Sequence, residues 1–187
     1  MAARTAAASL VTPEEYLAGE VESDVRHEYV GGAVYAMAGG RNQHNTVKGN
    51  VFSAFHSQLR GKPCRPFDSD TKVRLRLPDQ TRFYYPDAQI TCHPNPPNDT
   101  FQDHPSVIVE VLSASTRRID EGEKREGYLA LPSVEAYLLV ESERALVVCF
   151  RRGASGFSRE VYEGRDAVVP LPEAGITLAL RDVYEGA

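Results

Sequence analysis

The chain has 187 residues, 42% of them hydrophobic and 25% charged, with a formal net charge of −5. That length suits one domain, which buries roughly 70% of its unfolded surface and builds a core without staples. No apolar run approaches the ~20 residues of a membrane span. The acidic balance excludes a protein coated in basic residues for nonspecific nucleic-acid binding, but not a local basic groove around an acidic site.

Met1 to Ser9 is Ala-rich and lacks the apolar stretch of a signal peptide. Residues 1–11 therefore read as a flexible tail, and 12–187 as a single domain without repeat or linker. Thr12-Pro13-Glu14-Glu15 predicts a helix start, with Thr as N-cap, Pro at N1 and Glu at N3, ending near Gly19. Arg26 to Met37 predicts an N-terminal β-hairpin across Gly31-Gly32. From about Asn42 to Arg60 the period becomes helical, because Val47, Val51, Phe55 and Leu59 are spaced by four. His44 lies one turn before Val47 on the same side, and Gly61-Lys62-Pro63 stops the helix.

Lys72 to Leu77 alternates strictly. Val73, Leu75 and Leu77 take one face; Lys72, Arg74 and Arg76 take the other, as a solvated stripe or a phosphate track. Arg82 to Thr91 is expected to run back as one strand containing Pro86-Asp87. His93 to Pro105 carries four prolines and is the longest irregular segment, a candidate flap. Val107 to Leu112 is rich in β-branched residues and apolar on both faces, which predicts a strand buried on both sides. Ser113 to Thr116 offers N-caps for a helix from Arg117 to Leu131, on which Asp120, Lys124 and Tyr128 share a face. Glu135 to Val140, Ala145 to Arg151 and Phe157 to Tyr162 continue as strands. The class is α+β or α/β: a mixed sheet with helices packed on it. Cys64, Cys92 and Cys149 are far apart and odd in number, which reads as buried free thiols in a reducing, cytoplasmic compartment.

Glu110 is the residue that asks for chemistry. A carboxylate in a strand buried on both faces costs several kcal/mol unless a cation compensates it. Asp87 precedes it on the neighbouring predicted strand, and adjacent strands are about 4.8 Å apart, so the two acids could share a divalent cation. Lys124 follows on the next helix. Two carboxylates and a lysine make a minimal site for metal-assisted phosphodiester hydrolysis.

Asp87 after Pro86, the run Glu110-Val111-Leu112-Ser113-Ala114-Ser115-Thr116, and then Asp120, Lys124 and Tyr128 resemble the Uma2 family, also called DUF820. That family is a branch of the PD-(D/E)XK restriction-endonuclease-like superfamily. The likeness runs from about Thr12 to the end and includes Glu28-Tyr29-Val30-Gly31-Gly32 and His44. The resemblance implies a restriction-endonuclease-like mixed β-sheet core flanked by helices, Mg²⁺ dependence and DNA cleavage. The sequence departs from the parent pattern at Leu112, where Glu-x-Lys would put the lysine; Lys124 is the candidate replacement.

The reading is a divalent-metal-dependent endonuclease acting on DNA. Asp87 and Glu110, with the Val111 carbonyl, would hold Mg²⁺ or Mn²⁺. Lys124 and His44 complete the catalytic set, and Glu28, Asp70, Asp120 and Tyr128 support it. Arg117 and Arg118 would meet phosphates, and a homodimer would cut both strands. Two alternatives stay open: a degraded nucleic-acid-binding or protein-interaction module of the same fold, and a metal-dependent hydrolase with a non-DNA substrate.

Overall fold

The computed structural model describes residues 10–187. Most of the expected tail, residues 1–9, lies outside the described residues, and its last two residues touch the hairpin turn. Val11 N–H donates to the Gly32 carbonyl at 3.1 Å, and Leu10 packs over Gly32.

Helix α1 (Pro13–Val21) begins at Thr12 with a reciprocal cap: the Thr12 hydroxyl takes the Glu15 N–H, and the Glu15 carboxylate takes the Thr12 N–H. Strands β1 (His27–Val30) and β2 (Ala33–Ala36) form the expected hairpin. Its turn places Gly31 and Gly32 at φ 53° and 101°, a region that side chains disfavour. Helix α2 (Asn42–Leu59) buries the predicted stripe Val47, Val51, Phe55 and Leu59. Each such side chain contributes roughly 1.5–3 kcal/mol on burial, which is what fixes the helix on the sheet.

Strand β3 (Arg65–Asp68) has no counterpart in the sequence reading, since Arg-Pro-Phe-Asp shows no alternation. Strand β4 (Lys72–Arg76) is as expected, but the run after it divides into β5 (Thr81–Tyr84) and β6 (Ala88–Thr91). The break is at Tyr85-Pro86-Asp87, where Pro86 has no N–H to give a ladder. Strand β5 pairs with β1 and β4, whereas β6 pairs with β3 and β8 (Pro105–Leu112). The chain changes sheets at that proline. A two-residue strand, β7 (Phe101–Gln102), stitches the proline-rich segment parallel to β4.

The helix expected after Ser113–Thr116 is present but not uniform. It runs as α3 (Arg117–Ile119), a wide π turn (Asp120–Lys124) and α4 (Arg125–Ala130). Strands β9 (Ala136–Glu141), β10 (Leu146–Gly153) and β11 (Gly156–Glu163) follow, then β12 (Val168–Leu171), β13 (Ile176–Ala179) and α5 (Leu180–Val183).

The main sheet has the order β11-β10-β9-β8-β6-β3, and a second sheet has the order β2-β1-β5-β4-β7. Strand β8 is central, antiparallel to β6 and parallel to β9. On one face, Val107, Val109 and Val111 pack with α2 and the C-terminal strands. On the other, Ile108 and Leu112 meet Tyr128 of α4 and Val73, Leu75 and Tyr84 of the second sheet. Alternation therefore sends Glu110 to this second face, where a helix and another sheet close over it. No helix among the described residues is long and apolar enough to cross a membrane.

Two sequence readings are corrected. Cys64 and Cys92 are bonded as a disulfide rather than left as free thiols. The antiparallel β3–β6 pairing aligns Arg65 with Thr91 and so brings the flanking cysteines face to face. Cys149 is a buried free thiol, pushed up to about 12 by burial. The basic stripe on β4 is neither solvated nor a continuous track. Lys72 is buried and donates to the Tyr85 hydroxyl at 3.1 Å. Arg74 makes two bonds of 2.7 Å to Asp103 and lies over the Phe101 ring. The proline-rich segment folds over that face, leaving only Arg76 exposed.

Candidate active site

The sheet crossover positions the first acid. Ala88 pairs with Val109, so continuing the antiparallel register by one residue sets Asp87 opposite Glu110. Asp87 Oδ2 accepts the Val111 backbone N–H at 2.8 Å. It also lies 3.3 Å from Nε2 of His44, in the first turn of α2. The bond to Asp87 raises the His44 pKa, and burial only partly offsets it. Among the described residues, the buried His44 Nδ1 has no hydrogen-bond partner.

The second cluster centres on Lys124. Its Nζ lies 2.8 Å from Glu28, 3.2 Å from Glu110 and 3.7 Å from Asp120. Asp120 and Lys124 open and close the π turn four residues apart, on one buried face, so one helix supplies two of these groups. Glu28 arrives from β1 of the other sheet. Tyr128, one turn further along, donates to Glu110 at 3.1 Å, and Tyr137 on β9 donates to the Asp120 carbonyl at 2.9 Å.

Three carboxylates thus surround one ammonium, with Asp87 close beside Glu110, and the electrostatics follow from that surplus. Burial raises the Glu110 pKa well above the usual carboxylate range, against the pull of Lys124, with Asp120, Asp87 and Glu28 adding to the rise. Burial raises Asp120 as well. For Lys124, burial alone would favour the neutral amine, but Glu110, Glu28 and Asp120 outweigh it and hold the ammonium charged. Burial also raises the Tyr128 pKa well above its usual value, so the phenol keeps its proton and donates a hydrogen bond to Glu110.

Of the sequence-predicted residues, the fold brings Asp87, Glu110, Lys124, His44, Glu28, Asp120, Tyr128 and the Val111 backbone together. Asp70 stands apart, exposed and paired with Arg26. Arg117 is held by Glu141 at 2.6 Å and by Glu121 at 2.9 Å, so it is engaged within the protein; Arg118 is exposed. Sequence reasoning missed Tyr137, and it missed that Val111 serves Asp87 through its N–H. The second was available from strand opposition, since a carboxylate beside β8 meets the N–H next to Glu110.

The donor set suits a hard divalent cation: all acids are oxygen ligands, and their charge exceeds that of Lys124. Among the described residues, no group of three or more His, Cys, Asp or Glu side chains is arranged to hold a metal as it stands. Three of the acids are organised on the ammonium instead.

A mixed sheet with flanking helices, carrying acids on adjacent strands and a helix-borne lysine, is a restriction-endonuclease-like fold. The chain belongs to the Uma2 family, described as "Putative restriction endonuclease", whose model matches residues 13–181. It is similar to an uncharacterized Synechocystis sp. protein, slr1290, at 32% identity over 94% of this chain and 92% of the relative. A second uncharacterized Synechocystis sp. protein, sll1609, is 27% identical over 73% of this chain and 77% of its own. The fold matches a crystal structure from Anabaena variabilis, described as a putative nuclease belonging to DUF820. That match has a TM-score of 0.69 at 18% identity and covers 87% of this chain and 92% of the other.

Proposed function

We propose that the protein is a divalent-metal-dependent endonuclease that hydrolyses DNA phosphodiester bonds. The observation that carries this reading is the convergence of Glu28, Glu110 and Asp120 on the single buried ammonium of Lys124, with Asp87 beside Glu110, which leaves negative charge for a second cation to neutralise. Asp87, Glu110 and the Val111 carbonyl would hold Mg²⁺ or Mn²⁺. When bound, the ion would offset phosphodiester charge and acidify the attacking water. Asp87 is fixed for this by the Val111 N–H and by His44. Glu110 is fixed by Tyr128. Lys124, kept charged by its acids, is a donor to negative charge developing on the phosphoryl oxygens rather than a base. Attack of water at phosphorus breaks one P–O ester bond and leaves a phosphomonoester and a sugar hydroxyl. A homodimer would present two such sites to the two strands of a duplex, and DNA as substrate goes with a cytoplasmic location.

The test is cleavage of plasmid and single-stranded DNA with Mg²⁺, with Mn²⁺ and with EDTA. Cleavage should need metal and be lost in Asp87→Asn and Glu110→Gln. Cleavage that survives both substitutions comes from a contaminant and overturns the assignment.

A further inference from the structure

A cleft of about 960 Å³ opens beside this site, roofed by the proline-rich segment and floored by Lys72, Tyr85 and Phe67. Lys72 is 4% exposed. An ammonium has three donors, and here only the Tyr85 hydroxyl receives one. Among the described residues, no carboxylate lies within ion-pair distance of Lys72 or of Arg65 on the exposed rim. The acids of the cleft are committed elsewhere. Glu20 takes the Tyr85 hydroxyl at 2.8 Å and the His27 N–H at 2.8 Å. Asp70 pairs with Arg26, and Asp99 takes the Asn95 amide at 3.0 Å. A buried cation without a counter-ion is costly, and an anionic ligand is what relieves it.

Two chains of contacts link the cleft to the candidate active site. The Tyr85 backbone N–H donates to Glu28 at 3.3 Å, and Glu28 holds Lys124. On the other side, Lys48 lies one turn after His44 on α2 and donates to Ser69, whose carbonyl takes Arg26 at the cleft edge. The roof is built rather than loose. The disulfide fixes one end at Cys92, β7 pairs with β4 at Lys72 itself, and Asn95 clasps Gln102 and Asp103 at 2.9 and 3.1 Å.

We propose that this cleft seats a backbone phosphate of the DNA strand next to the cleaved bond, with Lys72 as its buried counter-charge and Arg65 at the entrance. This rests on the nuclease reading above. The Phe67 and Tyr85 rings and the prolines give the flanking sugar and base an apolar wall, the combination that single strands use.

The test is fluorescence anisotropy of a labelled oligodeoxynucleotide in EDTA over a range of NaCl concentrations, so that binding is read without cleavage. Lys72→Met should weaken binding by roughly tenfold or more and flatten the slope of log K against log salt by about 0.7–0.9, one phosphate contact. Arg65→Ala, at an exposed position that leaves folding intact, should weaken binding and flatten the slope in the same direction. Unchanged affinity and slope in both cation variants would overturn the proposal. If the parent binds no oligonucleotide, the nuclease reading fails separately, and thymidine 5′-monophosphate is then read by thermal shift. Stabilisation by it that Lys72→Met abolishes would keep a phosphate site but overturn its assignment to a DNA strand; no stabilisation would overturn the site itself.

Discussion

Lys124→Met tests whether the ammonium is the cation that Glu110 requires. Met keeps a similar apolar stem and removes only the charge that lies 2.8, 3.2 and 3.7 Å from Glu28, Glu110 and Asp120. Removing one partner of a buried ion pair costs about 3–5 kcal/mol, because the remaining charge is uncompensated. At about 2–4 °C per kcal/mol for a chain of this size, melting should fall by roughly 6–20 °C at pH 7.5. The loss should depend on pH in a definite direction. Glu110 already has a raised pKa in the folded state, and without Lys124 it rises further. A carboxyl raised in the folded state favours folding below its unfolded value and loses that contribution as pH rises through the folded value. The deficit of the variant should therefore shrink as pH falls toward 5. Calorimetric melts of both proteins at several pH values read this directly. A variant that melts within about 2 °C of the parent at pH 7.5, with no narrowing at pH 5, would refute the reasoning.

Three further outcomes are expected. His44 has a raised pKa through Asp87, so its contribution is full below the unfolded value of about 6.5 and is lost as pH rises through the folded one. The melting difference between parent and His44→Gln should accordingly be larger at pH 6 than at pH 8.5, and an equal difference would show that the pair is not charged. Closing the Cys64–Cys92 loop, with its sequence separation of 28, should contribute about 3–4 kcal/mol. Dithiothreitol should thus lower melting of the parent and leave the double Cys→Ser variant unmoved. Phe55→Ala, at a fully buried position of the α2 stripe, should cost about 3–5 kcal/mol in urea unfolding.

The sequence was most legible where one local signal sufficed. The cap at Thr12, the glycine turn, the stripe from Val47 to Leu59 and the doubly buried strand around Glu110 all follow from spacing and residue type. The acids and Lys124 were legible as candidates because a carboxylate in an apolar strand is conspicuous. What escaped depends on partners distant in sequence. Pro86 marked a break, but only the pairing of β5 and β6 with different strands shows that the chain changes sheets there. The alternation of Lys72, Arg74 and Arg76 suggested a wet face, because nothing local says that Phe101, Gln102 and Asp103 fold over it. The cysteine pairing was hidden for the same reason, since β3 has too little pattern to be seen. The four-residue spacing of Asp120, Lys124 and Tyr128 pointed to one face, but not to the π turn between Asp120 and Lys124.

The crossover at Tyr85-Pro86-Asp87 has a consequence for when the site exists at all. Glu110 belongs to the six-stranded sheet and Asp87 leads directly into its strand β6, Glu28 belongs to the five-stranded sheet, and Lys124 comes from the helix lying over both. Neither sheet excised alone would carry the complete cluster. Proteolysis on either side of Pro86 would divide the chain into two pieces, each missing an acid, that are joined covalently only through the Cys64–Cys92 disulfide. The complete cluster is therefore a property of the whole fold, and its formation makes a built-in check that both sheets have assembled.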